Sequence, residues 1–299
     1  MSFRRLFVVT LLSLLWLLSG SVLSATQTYP NPPIQVGGSA DGLHDSTVTD
    51  AEIGFKLIFN ELLAKGAESF ETKIYDSNDK LLEDFKNGKL QALFVSSLKF
   101  IELGDLIHPT GRYAVQFGPS LKQRYLILVR REQEGFSLAD LRDKKLSMAK
   151  GHVVGKRFLD VTLLKQGLPI SDRFFGEIQL VKEVNTAVID LFFRKADVAL
   201  VPEFSFELAR ELNPQISSSI TAIATSEPLV YMLAGMRYDF PKQRLDNIEP
   251  YILNINHSSR MQHLLKTFRI TGIYRVDEET LKEVKTLNEA YRKFTQHSP

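Results

Sequence analysis

A glycine-rich basic stretch at residues 147–158, SMAKGHVVGKRF, contains the residue types that bind phosphate groups. Backbone N–H groups at a glycine turn and at the start of a helix attract anions. A P-loop needs four residues between its glycines and then Lys with Ser or Thr. Only three residues separate Gly151 from Gly155, and Arg157 stands at the hydroxyl position. The dinucleotide fingerprint, with glycines one residue apart, is absent too, so the spacing excludes both nucleotide motifs.

The same turn can still hold another anion, and its candidate ligand-binding residues are Lys150, Gly151, His152, Val153 and Val154. The N-terminus of the following helix stabilises an exposed anion by about 0.3–1 kcal/mol. An imidazole at that position can donate a hydrogen bond. The competing interpretation makes the lysine a solvated surface residue and the histidine part of a surface turn.

Two further strand ends carry candidate ligand-binding side chains. Ser96 and Ser97 end the apolar run 90–97 and offer hydroxyl donors, although they equally suit capping of the helix that follows. Glu203 ends the matching run 196–203. A carboxylate there repels an anion but holds an amine, so a zwitterionic ligand is as consistent with the sequence as an anionic one.

Signals for catalysis, metal binding or a cofactor are poor. The six histidines include no His-x-x-x-His pair, and there is no cysteine. Residues 118–120, GPS, lack the second glycine of a nucleophile elbow. We therefore expect no catalytic residue, no metal and no cofactor, with a hydrolase as the remaining enzymatic alternative.

The first 25 residues have the pattern of a secretory signal peptide. Arg4 and Arg5 precede the apolar run 6–18, and small residues follow at Ser24 and Ala25, where cleavage is expected. An uncleaved N-terminal anchor is the alternative. Because the two arginines account for the formal net charge of +2, the mature chain is close to neutral. It therefore lacks the excess of basic residues that is expected of a nucleic-acid-binding protein. An exported chain without disulfides suits a bacterial periplasm.

The remaining chain alternates strands and helices, which predicts parallel sheets flanked by helices. The first half has strands at 34–38, 70–76 and 90–97, and the second has strands at 125–131, 144–150, 177–184 and 196–203. The two halves end alike, in FKNGKLQALFVSSLKF (85–100) and LFFRKADVALVPEFSF (191–206), and Gln91 falls where Asp197 falls. We expect Asp197 to stabilise the strand entry. Ligands bind at the carboxyl ends of such strands, so two facing halves predict a cleft.

This division predicts an α/β protein of two lobes. Residues 26–124 and 234–299 form the first lobe, and residues 125–233 form the second, with the ligand cleft between them. Tyr125 is expected to begin one crossover strand, and residues 227–235 are long enough for another. The C-terminal helices, including an amphipathic run at 277–294, are expected to pack onto the first lobe.

The order of five segments carries a resemblance to a known family. They are YDSNDKLLEDFKNGKLQALFVSS (75–97), SLADLRDKKLSM (137–148), FFGEIQLVKEVNTAVIDLFFRKADVALV (174–201), FELARELNPQ (206–215) and ILNINHSSRMQHLLKTFRITGI (252–273). The chain resembles the phosphate/phosphite/phosphonate-binding components of ABC transporters over residues 34–294. The resemblance implies a type II periplasmic binding protein that closes by a hinge, does no catalysis and delivers its ligand to a membrane permease and its ATPase.

The sequence departs from this family at the expected ligand site. Members carry a Ser-Thr-Ser-Gly type run at the start of the second-lobe helix, where this chain has GHVVG at 151–155 without a hydroxyl. The family's acid after the first-lobe glycine turn is Gln91 here. We therefore expect a monomeric periplasmic solute-binding protein of an orphan subgroup, with a small anionic or zwitterionic ligand. The alternative is a ligand-sensing module that regulates a membrane signalling protein.

Overall fold

The computed structural model describes residues 31–40, 48–63, 68–133 and 135–296, so the predicted signal peptide lies outside the described residues. The strands are β1 Ile34–Ser39, β2 Phe70–Tyr75, β3 Ala92–Ser96, β4 Ile107–Phe117, β5 Lys122–Gln123, β6 Tyr125–Arg130, β7 Lys145–Ala149, β8 Glu177–Val181, β9 Val198–Pro202, β10 Ile220–Thr225, β11 Leu229–Val230, β12 Met232–Arg237 and β13 Ile270–Arg275. The helices are α1 Val48–Leu63, α2 Asn78–Lys86, α3 Ser97–Ile101, α4 Val153–Leu164, α5 Ser171–Phe174, α6 Val184–Phe192, α7 Glu203–Leu212, α8 Pro214–Ser219, α9 Lys242–Asn254, α10 Ser259–Thr267 and α11 Lys282–Gln296.

The strands form two large mixed sheets. One sheet has the order β13-β4-β12-β3-β1-β2 and the other the order β10-β6-β9-β7-β8. In each sheet three strands are parallel, β3-β1-β2 and β9-β7-β8, and antiparallel strands extend it on one side. We call the six-stranded sheet with its helices the first lobe and the five-stranded sheet with its helices the second. The prediction of an α/β fold is confirmed.

The two lobes repeat one local design around Gln91 and Asp197. The Gln91 Oε1 atom accepts a hydrogen bond of 3.0 Å from the Gln35 backbone N–H at the start of β1. The Asp197 Oδ2 atom accepts one of 3.2 Å from the Lys145 backbone N–H at the start of β7. Asp197 also forms an ion pair of 3.0 Å with Arg130. The expected role of Asp197 at the strand entry is confirmed, and Gln91 performs the same role without a charge.

Every predicted strand corresponds to one in the structure, but four strands were not predicted. They are β4, β5, β10 and β13, which supply antiparallel neighbours in the sheets. The C-terminal part, expected to be helical apart from the crossover, therefore adds a strand beside β4. Pro109 and Gly111 interrupt the β4 sequence, and Gly272 lies within β13, so the usual strand signal is weak there.

The chain passes between the lobes twice, through β5 and β11, which pair antiparallel in a two-stranded sheet. Residues 227–235 cross as predicted, whereas Tyr125 lies just past the first crossing, inside β6. One apolar cluster continues through this region, from Leu93 in β3 through Val230 in β11 to Leu200 in β9. The crossing is therefore packed as part of the main core.

The last helix, α11, contacts both lobes. It packs on α3 of the first lobe and on α4 of the second. Arg157 of α4 donates a 2.6 Å hydrogen bond to Asn288, and its guanidinium lies 3.8 Å from the centre of the Tyr291 ring. Lys122 of β5 pairs with Glu283 at 2.7 Å. The helix contacts the first lobe as expected, and these polar contacts also hold it against the second lobe and beside the crossing.

Within the part of the chain that the structure describes, none of the helices has the length and apolar character that crossing a membrane requires.

Candidate functional site

Three helices of the second lobe begin at the same edge of its sheet. Helix α4 follows β7, α6 follows β8 and α7 follows β9 directly, and these three strands run parallel. Their N-termini therefore point toward one place, and residues of each first turn or cap line a cavity of about 380 Å³. The unpaired N–H groups and the positive dipole end of each helix favour a negatively charged ligand there.

The first lobe and the crossing provide the opposite wall of this cavity. Phe117 and Gly118 come from the end of β4, Arg269 and Thr271 from the start of β13, and Tyr231 from the link between β11 and β12. The Thr271 hydroxyl donates a 2.7 Å hydrogen bond to the Gly118 carbonyl. Because both lobes contribute side chains, the cavity has the form of an interlobe cleft.

His152 lies at the base of this cleft, as the N-cap residue of α4, and is only 4 % exposed. Its ring stacks on Tyr231 with centroids 5.3 Å apart and planes 14° apart. It also meets the edge of Tyr125, with centroids 6.0 Å apart. The structure therefore brings this predicted residue to the cleft, with an aromatic surround that a surface turn would lack.

The turn before His152 is held by the crossing strand. Gly151 has a φ of +82°, which a glycine adopts without strain, and its carbonyl accepts a 3.0 Å hydrogen bond from the Tyr231 hydroxyl. Lys150 is exposed, and its backbone N–H binds the Val181 carbonyl. Val153 is partly buried, while Val154 is fully buried in the core. Of the predicted turn residues, His152 is the one whose side chain lines the cleft among those described.

The two predicted serines lie behind the cleft wall. The Ser97 hydroxyl donates a 2.6 Å hydrogen bond to the Val230 carbonyl, and its backbone N–H binds the Tyr231 carbonyl at 2.8 Å. Ser96 is the N-cap residue of α3, where its hydroxyl accepts from the Lys99 backbone N–H. In this structure the serines cap a helix and connect β3 to the crossing; a ligand-binding role for them stays a prediction.

Glu203 is the first residue of α7, and its backbone N–H binds the Arg124 carbonyl at 2.8 Å. It lines a neighbouring groove together with Glu207 and Glu211, which follow it at helical spacing, and with Lys122. The groove shares Phe204 with the cleft, but Glu203 is not among the cleft-lining residues. An amine contact by Glu203 inside the cleft therefore gains no support from the geometry.

The described lining of the cleft contains one positively charged side chain and no negatively charged one. Among the described lining residues, Arg269 is the one lysine or arginine, and none is aspartate or glutamate. Asn185 and Ser205, in the first turns of α6 and α7, add neutral polar groups. Burial raises the pKa of Tyr125 behind His152, so its phenol stays neutral at physiological pH. Over the described residues, no cluster of three or more His, Cys, Asp or Glu could hold a metal ion.

Sequence reasoning missed Asn185, Phe204, Ser205, Arg269 and Thr271. The three second-lobe residues each follow a predicted strand directly or within a few positions, so the strand-end argument could have found them. Arg269 instead precedes, and Thr271 lies within, the strand β13 that was not predicted. No local signal in the sequence marks these two residues.

The lobes, the paired crossing and the cleft define the class of two-lobe solute-binding proteins. The family model for the phosphonate periplasmic substrate-binding proteins of ABC transporters matches residues 43–281. The chain belongs to this family. No relative was found among curated proteins.

Solved structures share the fold at low sequence identity. XAC2383 from Xanthomonas citri bound to ATP has a TM-score of 0.63 and 14 % identity, over 90 % of this chain and 100 % of its own. PhnD1 from Prochlorococcus marinus in complex with methylphosphonate has a TM-score of 0.60 and 14 % identity, over 88 % and 100 %. A binding protein component of an ABC phosphonate transporter from Pseudomonas aeruginosa has a TM-score of 0.61 and 9 % identity, over 89 % and 88 %.

The family confirms the predicted two-lobe type II architecture and the role of a periplasmic solute-binding protein. Its members are transport components that bind a small molecule and work with a permease and an ATPase. The alternative role as a signalling module finds no support in these relatives.

Proposed function

We propose that the protein captures a small solute with a phosphonate-like or other anionic group in the cleft between its lobes. The observation that carries this proposal is the composition of the cleft: three helix N-termini face Arg269, and no carboxylate lines the described wall. Two proteins of the same fold were solved with methylphosphonate and with ATP, which are both anionic.

In this proposal other hydrogen-bonding groups in the cleft take the place of the family's hydroxyl run. His152 stands at the start of α4, where that run is expected, and Ser205 and Asn185 come from the neighbouring helix starts. These groups can donate hydrogen bonds to phosphonate oxygens. A carboxylate would repel such a ligand, and Glu203 lies in the groove outside the cleft. The geometry thus favours an anionic ligand over a zwitterionic one.

Ligand contacts from both lobes favour the closed form over the open one. In this proposal residues 125–233 move relative to residues 26–124 and 234–299, and the hinge lies at the paired strands β5 and β11. The mature protein begins near Thr26 after removal of a signal peptide, acts as a periplasmic monomer and releases its ligand chemically unchanged.

Thermal unfolding of the protein from Thr26 onward tests the proposal. The panel is phosphate, phosphite, methylphosphonate, alkyl sulfonates, amino acids and polyamines. A ligand at a hundred times its Kd stabilises the folded state by about 2.7 kcal/mol, which is a rise of several degrees in Tm. We expect the rise with at least one phosphorus or sulfur oxyanion and none with polyamines. The proposed ligand class would be refuted if polyamines alone raised the Tm, or if none of the anions raised it.

A further inference from the structure

We infer that Arg269 is the residue that selects the anionic group of the ligand, and that Glu183 of the facing lobe is a built-in competitor for it. This inference rests on the proposed function, because it assigns the recognition of the anion within the same cleft. The Arg269 Nη2 atom lies 3.8 Å from the Glu183 Oε2 atom. Arg269 precedes β13 of the first lobe and Glu183 precedes α6 of the second, so the pair joins the two lobes beside the cleft.

Arg269 has a backbone conformation that usually belongs to glycine. It has a φ of +57° and follows Phe268, the C-cap residue of α10. Glycine is the usual residue at this position after a helix, because a Cβ atom is unfavourable in the left-handed region. The Arg269 side chain lines the cleft, where it can contact a ligand.

Glu183 occupies a helix N-cap position but does not act as a side-chain cap. Its side chain makes no capping hydrogen bond to the first turn of α6, and it extends toward Arg269 instead. The next two residues, Val184 and Asn185, line the cleft. The carboxylate thus stands beside the wall where the anionic group of a ligand is expected, and it can take that group's place on the guanidinium.

The ion pair is weak enough for a ligand to displace. The side chains of Arg269 and Glu183 are 53 % and 55 % exposed. Exposed pairs of this kind contribute little free energy and weaken with salt. An oxyanion in the cleft meets the same guanidinium and the three helix N-termini as well, so it has more favourable contacts than the carboxylate. An uncharged solute cannot displace Glu183 from Arg269 in this way, so the pair favours anionic ligands over uncharged ones.

The test compares Glu183→Gln, Arg269→Gln and Arg269→Gly with the matched control Glu132→Gln. Glu132 pairs with Arg194 at 2.7 Å in the same lobe, both side chains are exposed, and neither residue lines the cleft. Its substitution therefore makes the same change in net charge elsewhere. The probe is whichever of phosphate, methylphosphonate or methanesulfonate stabilises the wild type most, with Kd measured by calorimetry at low salt.

We expect Glu183→Gln to tighten binding by up to about fivefold, because the competitor is removed. Arg269→Gln should weaken it by about tenfold or more, since a charge-assisted hydrogen bond is lost. The control should stay within about twofold of the wild type. Arg269→Gly should weaken binding as much as Arg269→Gln does, while its Tm stays unchanged or rises. A purely structural role for Arg269 would not produce this combination.

Unchanged affinity in Arg269→Gln would overturn the selection role, and a Glu183→Gln variant indistinguishable from the control would overturn the competitor role. If the wild type binds no anion, the proposed function fails and this inference fails with it. An anion bound equally well by the wild type and by Arg269→Gln overturns this inference alone and leaves the proposed function standing.

Discussion

The contact between α4 and α11 gives a quantitative prediction, because Arg157 makes two separate interactions with the C-terminal helix. Its guanidinium donates to Asn288, which is only 4 % exposed, and covers the Tyr291 ring. The substitution Arg157→Ala removes both contacts. It also leaves the Asn288 oxygen without this donor in a buried place.

The expected magnitude follows from these two contacts. A hydrogen bond to a charged group contributes about 1.5–3 kcal/mol. A partly buried cation–π contact adds about 0.5–2 kcal/mol. We therefore expect Arg157→Ala to lower the free energy of unfolding by about 3 kcal/mol, which corresponds to a decrease in Tm of about 5 °C for a chain of this size.

Urea unfolding of Arg157→Ala, Asn288→Ala and the double variant measures this effect. The double-mutant cycle should give a coupling energy of about 1–2 kcal/mol, because the residues are in direct contact. Arg173→Ala, at an exposed arginine of the same lobe, is the control and should change the free energy by about 0.5 kcal/mol at most. A coupling energy near zero, or an Arg157→Ala variant as stable as the control, would refute the role given to this contact.

Two other predictions concern the helix behind the cleft and the acid stability of the first lobe. In Gly155→Ala the new Cβ would lie 2.5 Å from the Tyr125 ring. We therefore expect the free energy of unfolding, measured with urea, to fall by about 1–2 kcal/mol despite the better helix propensity of alanine. Unchanged stability would mean that the buried ring has room to move. The ammonium groups of Lys89 and Lys80 lower the pKa of Asp84 to about 2 from its ordinary 3.8. Its ionised form therefore adds stability above pH 4 that is lost as the pH falls through 2. The urea midpoint of Asp84→Asn should lie below that of the wild type at pH 7 and approach it below pH 4. A constant difference between the two midpoints over this pH range would contradict the assignment.

The parallel parts of both sheets could be predicted from the sequence because their signals are local. Apolar runs such as 90–97 and 196–203 are bounded by a glycine or basic turn and a helix start, and the structure places β3 and β9 there. The antiparallel strand β13 contains a glycine, which weakens its strand pattern. The pairing of β10 and β13 depends on partners at least 90 residues away, β6 and β4, so no local pattern identifies them.

The cleft could be predicted in part for the same reason. His152 follows a predicted strand and begins a helix, and the structure places it at the base of the cleft. Ser97 also follows a predicted strand and begins a helix, but its hydroxyl donates a hydrogen bond to the Val230 carbonyl of the crossing strand. Arg269 comes from the far end of the chain and meets Glu183 only in three dimensions. Residue type and strand ends identify one wall of such a site, whereas the facing wall depends on how the lobes are connected.

The position of β12 has a consequence for the order of events during synthesis. This strand lies between β3 and β4 in the six-stranded sheet, although it follows the whole five-stranded sheet in the chain. Until residue 237 has left the ribosome, β12 is not available to pair with β3 on one side and with β4 on the other. Because this long-range pairing must await the late segment, the six-stranded sheet is completed only after the whole second lobe has been synthesised.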